Sequence, residues 1–374
     1  MKKLKIALFC STGDVIPPKA NIVNAPRWLV YYLANGLTEK GHDVTLFAVP
    51  GSHSKAKLVA KKIIDWPKNK YVAKLQRENA PGERSRRFVI NDQTCLLDIF
   101  LEKNNFDLVH ANSELVLPLA ALTPNLPTLI TYHSPYDIHY NELFQYYKKR
   151  FPQIFINSLS KAHANQAPSV PFDFVIHNGI DSSNFTFNEK PKDYLLFSGR
   201  INANKGGDIA VSIARKTNKP LNILGQKFYS SKKTIKFWDT KIQPYLNNKI
   251  KYCGFVPYVK TKKYYQGAKA LLFPNRWKEA FGLVLIEAMA CGTPVVATSF
   301  GAVPEVVKNG VTGYVVKNEK EMIKATKKIY SMPKEKYLEM RHACRKHVEE
   351  NFTIEKMIDN YEKAYYQMVK KFKK

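Results

Sequence analysis

Apolar residues in this chain come in short runs separated by stretches with helical spacing. Lys5–Phe9 is a run of strand type after a charged start, and residues 44–48 (Val-Thr-Leu-Phe-Ala) repeat it. Between them, residues 27–40 place Leu29, Tyr32, Leu33, Gly36 and Leu37 along one side of a helix, which Gly41 ends. Residues 106–110 and 128–132 predict two further strands. The pattern then restarts with strands at 194–198, 221–225, 250–253, Ala270–Phe273 and Val295–Thr298, and a helix near Gly207–Thr217. Short β runs alternating with helices predict parallel sheets wrapped by helices. The chain is therefore expected to be α/β, with two Rossmann-like, doubly wound domains facing across a cleft. The polar stretch 186–193, with Pro191 in it, places the boundary: residues 1–185, then 186–352. The final stretch, 353–374, carries Ile354, Met357, Ile358, Tyr361, Ala364, Tyr365 and Met368 at helical spacing. It needs an apolar surface to cover and is expected to pack back on the N-terminal domain.

Composition narrows the classes. In 374 residues, 45% are hydrophobic and 24% charged, which excludes a disordered chain and allows two or three domains. Lys plus Arg is 59 against 31 Asp plus Glu, a net charge of +28 that attracts anions such as nucleotide phosphates, acidic lipid or nucleic acid. Cys10, Cys95, Cys253, Cys291 and Cys344 form no C-x-x-C pair, so neither a disulfide framework nor a zinc site is expected, and the expected compartment is the reducing cytosol. The apolar stretch 115–130 is broken by Pro118, Pro124 and Pro127 and does not read as a membrane span.

Ligands of open α/β sheets bind at the carboxyl ends of strands, near a switch point. Three segments carry chemistry there. Residues 279–297 read as a loop, a helix over 283–291, a Gly stop and a buried strand, with Glu279 and Glu287 as its acids. If one helix ran through both, about 12 Å would separate them along its axis, which suits the two ends of an elongated ligand. The amides around Gly282 and Leu283 would favour an anion at the helix start. Residues 199–207 (Gly-Arg-Ile-Asn-Ala-Asn-Lys-Gly-Gly) follow a strand, and Arg200 and Lys205 supply the two cations that a diphosphate leaving group requires. His133, after the strand at 128–132, is placed to bond a hydroxyl or orient a phosphate. Neither G-x-x-x-x-G-K-[ST] nor G-x-G-x-x-G is present, which disfavours nucleotide hydrolysis and dinucleotide redox chemistry.

In this order the pieces resemble the retaining nucleotide-sugar glycosyltransferases of family 4, which have the GT-B fold. Glu279 and Glu287 resemble that family's E-x7-E motif, and Gly199-Arg200 with Lys205-Gly206 its donor-phosphate pair. His177-Asn178-Gly179-Ile180-Asp181, Gly41-His42-Asp43-Val44, Gly301 to Val307 and Gly310 to Gly313 continue the match. The resemblance implies that Arg200 and Lys205 hold the donor diphosphate and that Glu287 binds the ribose hydroxyls. Glu279, with Phe281, Gly282 and Leu283, would contact the transferred sugar. His133 would lie near the sugar and β-phosphate, and Gly254, Phe255 and Val256 would border the base. It implies no metal and no resident cofactor, the nucleotide diphosphate sugar (UDP by family preference) being a co-substrate. The acceptor would be the hydroxyl of a glycan, a glycolipid or a small molecule. Many members carry Gly-Gly in the loop after the first strand; Asn24-Ala25-Pro26-Arg27 stands in that place here. Where an H-x-H is frequent, the residue after His110 and Ala111 is Asn112.

Residues 55–87 hold eleven basic side chains against three acidic ones, interleaved with apolar residues, a pattern that suits an anionic membrane surface. A second basic run, 227–263, carries ten against Asp239 alone, so the charge is not confined to one domain. Two other functions compete. A nucleotide-sugar epimerase would need its carboxylates elsewhere. A polyanion binder lacks any helix-turn-helix, zinc-finger or RNP signature, and no nucleic-acid partner is expected.

Overall fold

The computed structural model describes residues 2–19, 24–60, 83–227 and 232–372, with backbone alone for 83–87. The chain divides into two compact units. The first comprises Met1–Leu159, Ala164–Ile176 and Met357–Lys374; the second comprises Ser160–His163 and His177–Lys356. Residues 177–185, grouped with the first domain on sequence, thus belong with the second. Backbone bonds hold them there: Ile180 N donates to Phe352 O at 2.9 Å and Ile354 N to Ile180 O at 3.1 Å.

The first unit is built on strands β1 (Lys5–Phe9), β2 (Asp43–Ala48), β3 (Lys57–Ala60), β4 (Leu108–Ala111), β5 (Thr128–Thr131), β6 (Ile154–Ser158) and β7 (Phe174–Val175). They lie in the order β3-β2-β1-β4-β5-β6-β7, every neighbouring pair parallel. The central strands are buried along almost their whole length, which is why they read as continuous apolar runs. Helix Ala25–Glu39 buries Leu29, Val30, Leu33, Ala34 and Leu37. It ends as its sequence predicts: Gly41 sits at φ 83°, with Gly41 N bonded to Thr38 O (2.8 Å) and His42 N to Leu37 O (3.1 Å). The C-terminal helix, Ile354–Phe372, lays Tyr361 and Tyr365 against this sheet. Tyr365 Oη lies 2.7 Å from His110 Nδ1 on β4, and Tyr361 Oη accepts from Asn157 Nδ2 on β6 at 3.1 Å.

The second unit is built on β8 (Leu195–Ser198), β9 (Leu221–Leu224), β10 (Ile250–Gly254), β11 (Ala270–Phe273), β12 (Val295–Thr298) and β13 (Gly313–Val316). Their order is β10-β9-β8-β11-β12-β13, again all parallel. Helices Gly207–Thr217 and Glu319–Tyr330 cover one face over a core that includes Phe197, Val211, Leu272 and Ile329. Helix Leu283–Ala290 is buried almost throughout. Both sheets are doubly wound, and in each the strand order reverses beside its first strand, between β1 and β4 and between β8 and β11. Among the described residues, no helix is long and apolar enough to cross a membrane.

Candidate active site

In the second unit, the switch point gathers the chemistry. Gly199 and Arg200 follow β8, and Asn275 and Glu279 follow β11, at the carboxyl ends of adjacent parallel strands. Arg200 is exposed. Lys205 closes a single 3-10 turn, Ala203–Lys205, whose start is capped by the Asn202 side chain accepting from Lys205 N at 3.0 Å. From there Lys205 Nζ forms an ion pair with Glu279 Oε2, both side chains mostly withdrawn from solvent. Asn275, itself buried, donates to the Trp277 carbonyl at 2.7 Å and reaches Glu279 Oε2 at 3.4 Å.

Glu279 does not lie on the helix. The helix is confined to Leu283–Ala290, with Gly282 before it, so the premise of one helix carrying both acids is not met. The residues between are a loop whose backbone is pinned instead: Ala302 N donates to Glu279 O at 2.9 Å. That contact needs Gly301, at φ 61°, since a Cβ there would meet Glu279 O at 2.2 Å. The Phe281 side chain is buried against His177 (ring centroids 5.6 Å) and Phe352 (5.7 Å). It therefore has backbone, not ring, to offer a ligand.

Glu287, on the helix, is 6% exposed. Tyr265 Oη donates to Glu287 Oε2 at 2.8 Å and lies 3.2 Å from Ser198 Oγ at the end of β8. Burial raises the Glu287 carboxyl to about 7, with the Tyr265 hydrogen bond opposing the shift. Glu287 is thus poised to change charge near neutrality. Gly254 ends β10, and Phe255 and Val256 are half-buried in the loop beyond it. Sequence reasoning missed Tyr265, Ser198 and Asn275. Tyr265 and Ser198 meet only across 67 residues of chain and Tyr265 reaches Glu287 across 22, whereas Asn275 acts on its near neighbours Trp277 and Glu279 through a loop turn that periodicity does not show.

His133 belongs to the first unit and follows β5. Its Nε2 lies 2.8 Å from Asn112 Oδ1, just after β4. The amide orientation is fixed from the other side, Asn112 Nδ2 donating to Phe9 O at 3.2 Å, so Nε2 carries the proton. Asn112, the residue after His110 and Ala111, thus orients His133. His110 is instead a core residue, held between Tyr365 and Thr131, and burial lowers its pKa to about 3.

Of residues 24–27, Asn24 ends the connection that follows β1, and the other three are helical. Ala25 and Pro26 are the first turn of helix Ala25–Glu39. Arg27 is buried, donating to Ser11 O (2.8 Å) and Asp14 O (3.1 Å). The loop beside the end of β1 is Cys10–Asp14, and buried Asp92 fixes it by accepting from Thr12 N at 2.6 Å. Most of the basic stretch 55–87 lies outside the described residues. Among the described residues, no three His, Cys, Asp or Glu side chains gather as a metal-binding group.

Residues 181–351 match the family described as Glycosyl transferases group 1, and residues 28–184 match Glycosyltransferase Family 4. The N-acetyl-alpha-D-glucosaminyl L-malate synthase of Bacillus anthracis is 39% identical over 94 residues, 25% of this chain and 25% of that protein. Against its first curated relatives, the chain aligns over a quarter to about half of their length. Among solved structures, a sucrose-phosphate synthase from Thermosynechococcus elongatus superposes with a TM-score of 0.77 at 19% identity, covering 99% of this chain and 100% of that one. HepE of Anabaena, solved with UDP and glucose, superposes with a TM-score of 0.69 at 16% identity, over 97% and 100%. These two likenesses are of fold.

Proposed function

We propose that this chain, which belongs to the family 4 glycosyltransferases of the GT-B fold, transfers a hexose with retention from a UDP-sugar to a hydroxyl acceptor. The observation that carries the reading is the pairing of Lys205 with Glu279 beside Arg200 at the β8/β11 switch point, with buried Glu287 on the helix that follows. A diphosphate entering there replaces the carboxylate as the partner of Lys205, and Arg200 takes up the second charge. Glu279, released, accepts hydrogen bonds from hydroxyls of the transferred sugar. Glu287, when ionised, accepts from the ribose hydroxyls, and Gly254, Phe255 and Val256 border the base. His133 is assigned to the sugar and β-phosphate.

In the reaction, the bond between the anomeric carbon and the diphosphate oxygen breaks. The acceptor oxygen forms its bond on the same face, and its proton passes to the departing phosphate. The two cations, with the amides of residues 281–283, stabilise the charge that grows on the leaving group. They supply that role without a metal or a resident cofactor. UDP is favoured because the Anabaena protein of the same fold holds it. The net charge of +28 supports an acceptor at an anionic membrane surface, which co-sedimentation with anionic and neutral vesicles tests directly. The family matches weigh against an epimerase and against a polyanion binder.

The test is a titration with UDP, GDP and ADP followed by melting temperature, then a screen of nucleotide sugars for slow donor hydrolysis. UDP at a hundredfold excess over its dissociation constant adds about 2.7 kcal/mol to the stability of the folded state. Arg200→Ala and Lys205→Ala each diminish that gain. If no nucleotide shifts the melting temperature, or both variants respond as the wild type does, the assignment fails.

A further inference from the structure

The loop from Glu279 to Gly282 holds the acid assigned to the sugar, yet it has no regular secondary structure of its own. Its shape is imposed from outside. On one side, Ala302 N donates to Glu279 O. On the other, Ser160 Oγ donates to the next carbonyl, Ala280 O, at 2.8 Å, and neither residue is exposed. Ser160 is itself fixed, since the same hydroxyl accepts from His163 N at 2.9 Å.

The following residue is held by rings. Phe281 packs against His177 and Phe352, and His177 in turn lies 5.7 Å from Phe352, so the three rings form a closed cluster. Glu305 ties the two supporting segments together. Its carboxylate accepts from Lys161 N (2.9 Å) and Ala162 N (2.6 Å), and Oε2 lies 3.8 Å from His177 Nε2. All of these residues belong to the second unit. Ser160 and His177 are also the first residues of its two chain segments.

We infer that Ser160 and His177 are positioning residues for the transfer: they fix the backbone of Ala280 and Phe281 and thereby the reach of Glu279 and the aim of the amides at 281–283. The inference rests on the reading of that loop as the grip on the donor sugar. Neither residue touches the nucleotide in this reading, so their loss misplaces the reacting sugar while leaving the uridine and diphosphate contacts in place. A misplacement of about 1 Å at a reacting centre costs on the order of a hundredfold in rate.

Two measurements separate this inference from the functional reading. Hydrogen exchange of peptides covering residues 276–286 needs no substrate. Ser160→Ala and His177→Ala are expected to exchange at least about tenfold faster there, with peptides from the sheet unchanged, because fixed loop amides are released. Unchanged protection in this peptide overturns the inference whatever the protein's substrate. With UDP-glucose as donor probe, both variants are expected to lower kcat for donor hydrolysis at least about tenfold while UDP affinity stays within about threefold. His177→Phe keeps the ring cluster and is expected to restore most of the rate. A His177→Phe rate as low as that of His177→Ala, or a loss that falls on UDP affinity instead of kcat, overturns the positioning role. A wild-type protein that neither binds UDP nor cleaves UDP-glucose counts against the functional reading, and the exchange result then decides the positioning claim alone.

Discussion

Lys205 and Glu279, seventy-four residues apart in the chain, neutralise one another at the carboxyl ends of β8 and β11. The cation assigned to the diphosphate is therefore engaged before any donor arrives, and the carboxylate competes for it. Glu279→Gln removes the competitor and keeps the shape. It is expected to tighten UDP binding several-fold and to lower kcat for donor hydrolysis. Lys205→Met is expected to weaken UDP at least about tenfold, the worth of a charge-assisted hydrogen bond. Calorimetric titration of both variants decides it; weaker UDP binding in Glu279→Gln contradicts the competition.

The pH dependence of nucleotide binding follows from Glu287. Its carboxyl is raised from 4.5 to about 7 by burial, so it is protonated in mild acid and ionised above neutrality. An ionised carboxylate accepts two ribose hydroxyls better than an acid does. UDP affinity is expected to rise from pH 6 to pH 8, and Glu287→Gln removes the part of that rise due to the protein. Equal slopes in the two proteins count against the ribose role.

The same shift affects stability. The folded state holds the Glu287 proton more tightly than the unfolded chain does. Its contribution is present below pH 4.5 and is lost as the pH rises toward about 7. His110 acts in the opposite sense. Burial lowers it from 6.5 to about 3, so its contribution is present above pH 6.5 and is lost as the pH falls toward 3. Each amounts to a few kcal/mol, and between pH 4.5 and 6.5 they oppose one another. Denaturant melts across this range are expected to show greater acid sensitivity in Glu287→Gln than in wild type, and less in His110→Gln.

Tyr265 is the hydrogen-bond donor that makes a buried Glu287 carboxylate tolerable. Tyr265→Phe removes one oxygen and leaves that oxygen of the acid unpaired, at a cost of about 1–3 kcal/mol. The deficit should be larger at pH 8, where the acid is charged, than at pH 5. A pH-independent deficit indicates that packing, not the bond to Glu287, is what Tyr265 contributes.

Gly301→Ala tests the other wall of the loop. The added Cβ would fall 2.2 Å from Glu279 O at a backbone angle that side chains rarely adopt, so the loop must shift. Turnover is expected to fall by more than tenfold, with UDP affinity less affected.

Periodicity alone made much of this architecture legible. β1, β11 and β12 have the bounds that their apolar runs predicted, because strands buried on both faces read as near-continuous hydrophobic runs. β3 was missed because an edge strand is half-exposed, and β7 because two residues make no pattern. β6 was missed because its polar end, Asn157-Ser158, hides a strand whose asparagine is buried for the hydrogen bond that it gives Tyr361. Spacing likewise exposed Glu279, Glu287, Arg200 and Lys205, since charge at the edge of an apolar element needs a reason. It could not show that Lys205 meets Glu279, that Tyr265 supports Glu287, that Asn112 turns His133, or that Arg27 is buried as a loop brace. Those pairings join residues 13 to 74 positions apart, and only the packing of strands side by side decides which distant groups become neighbours.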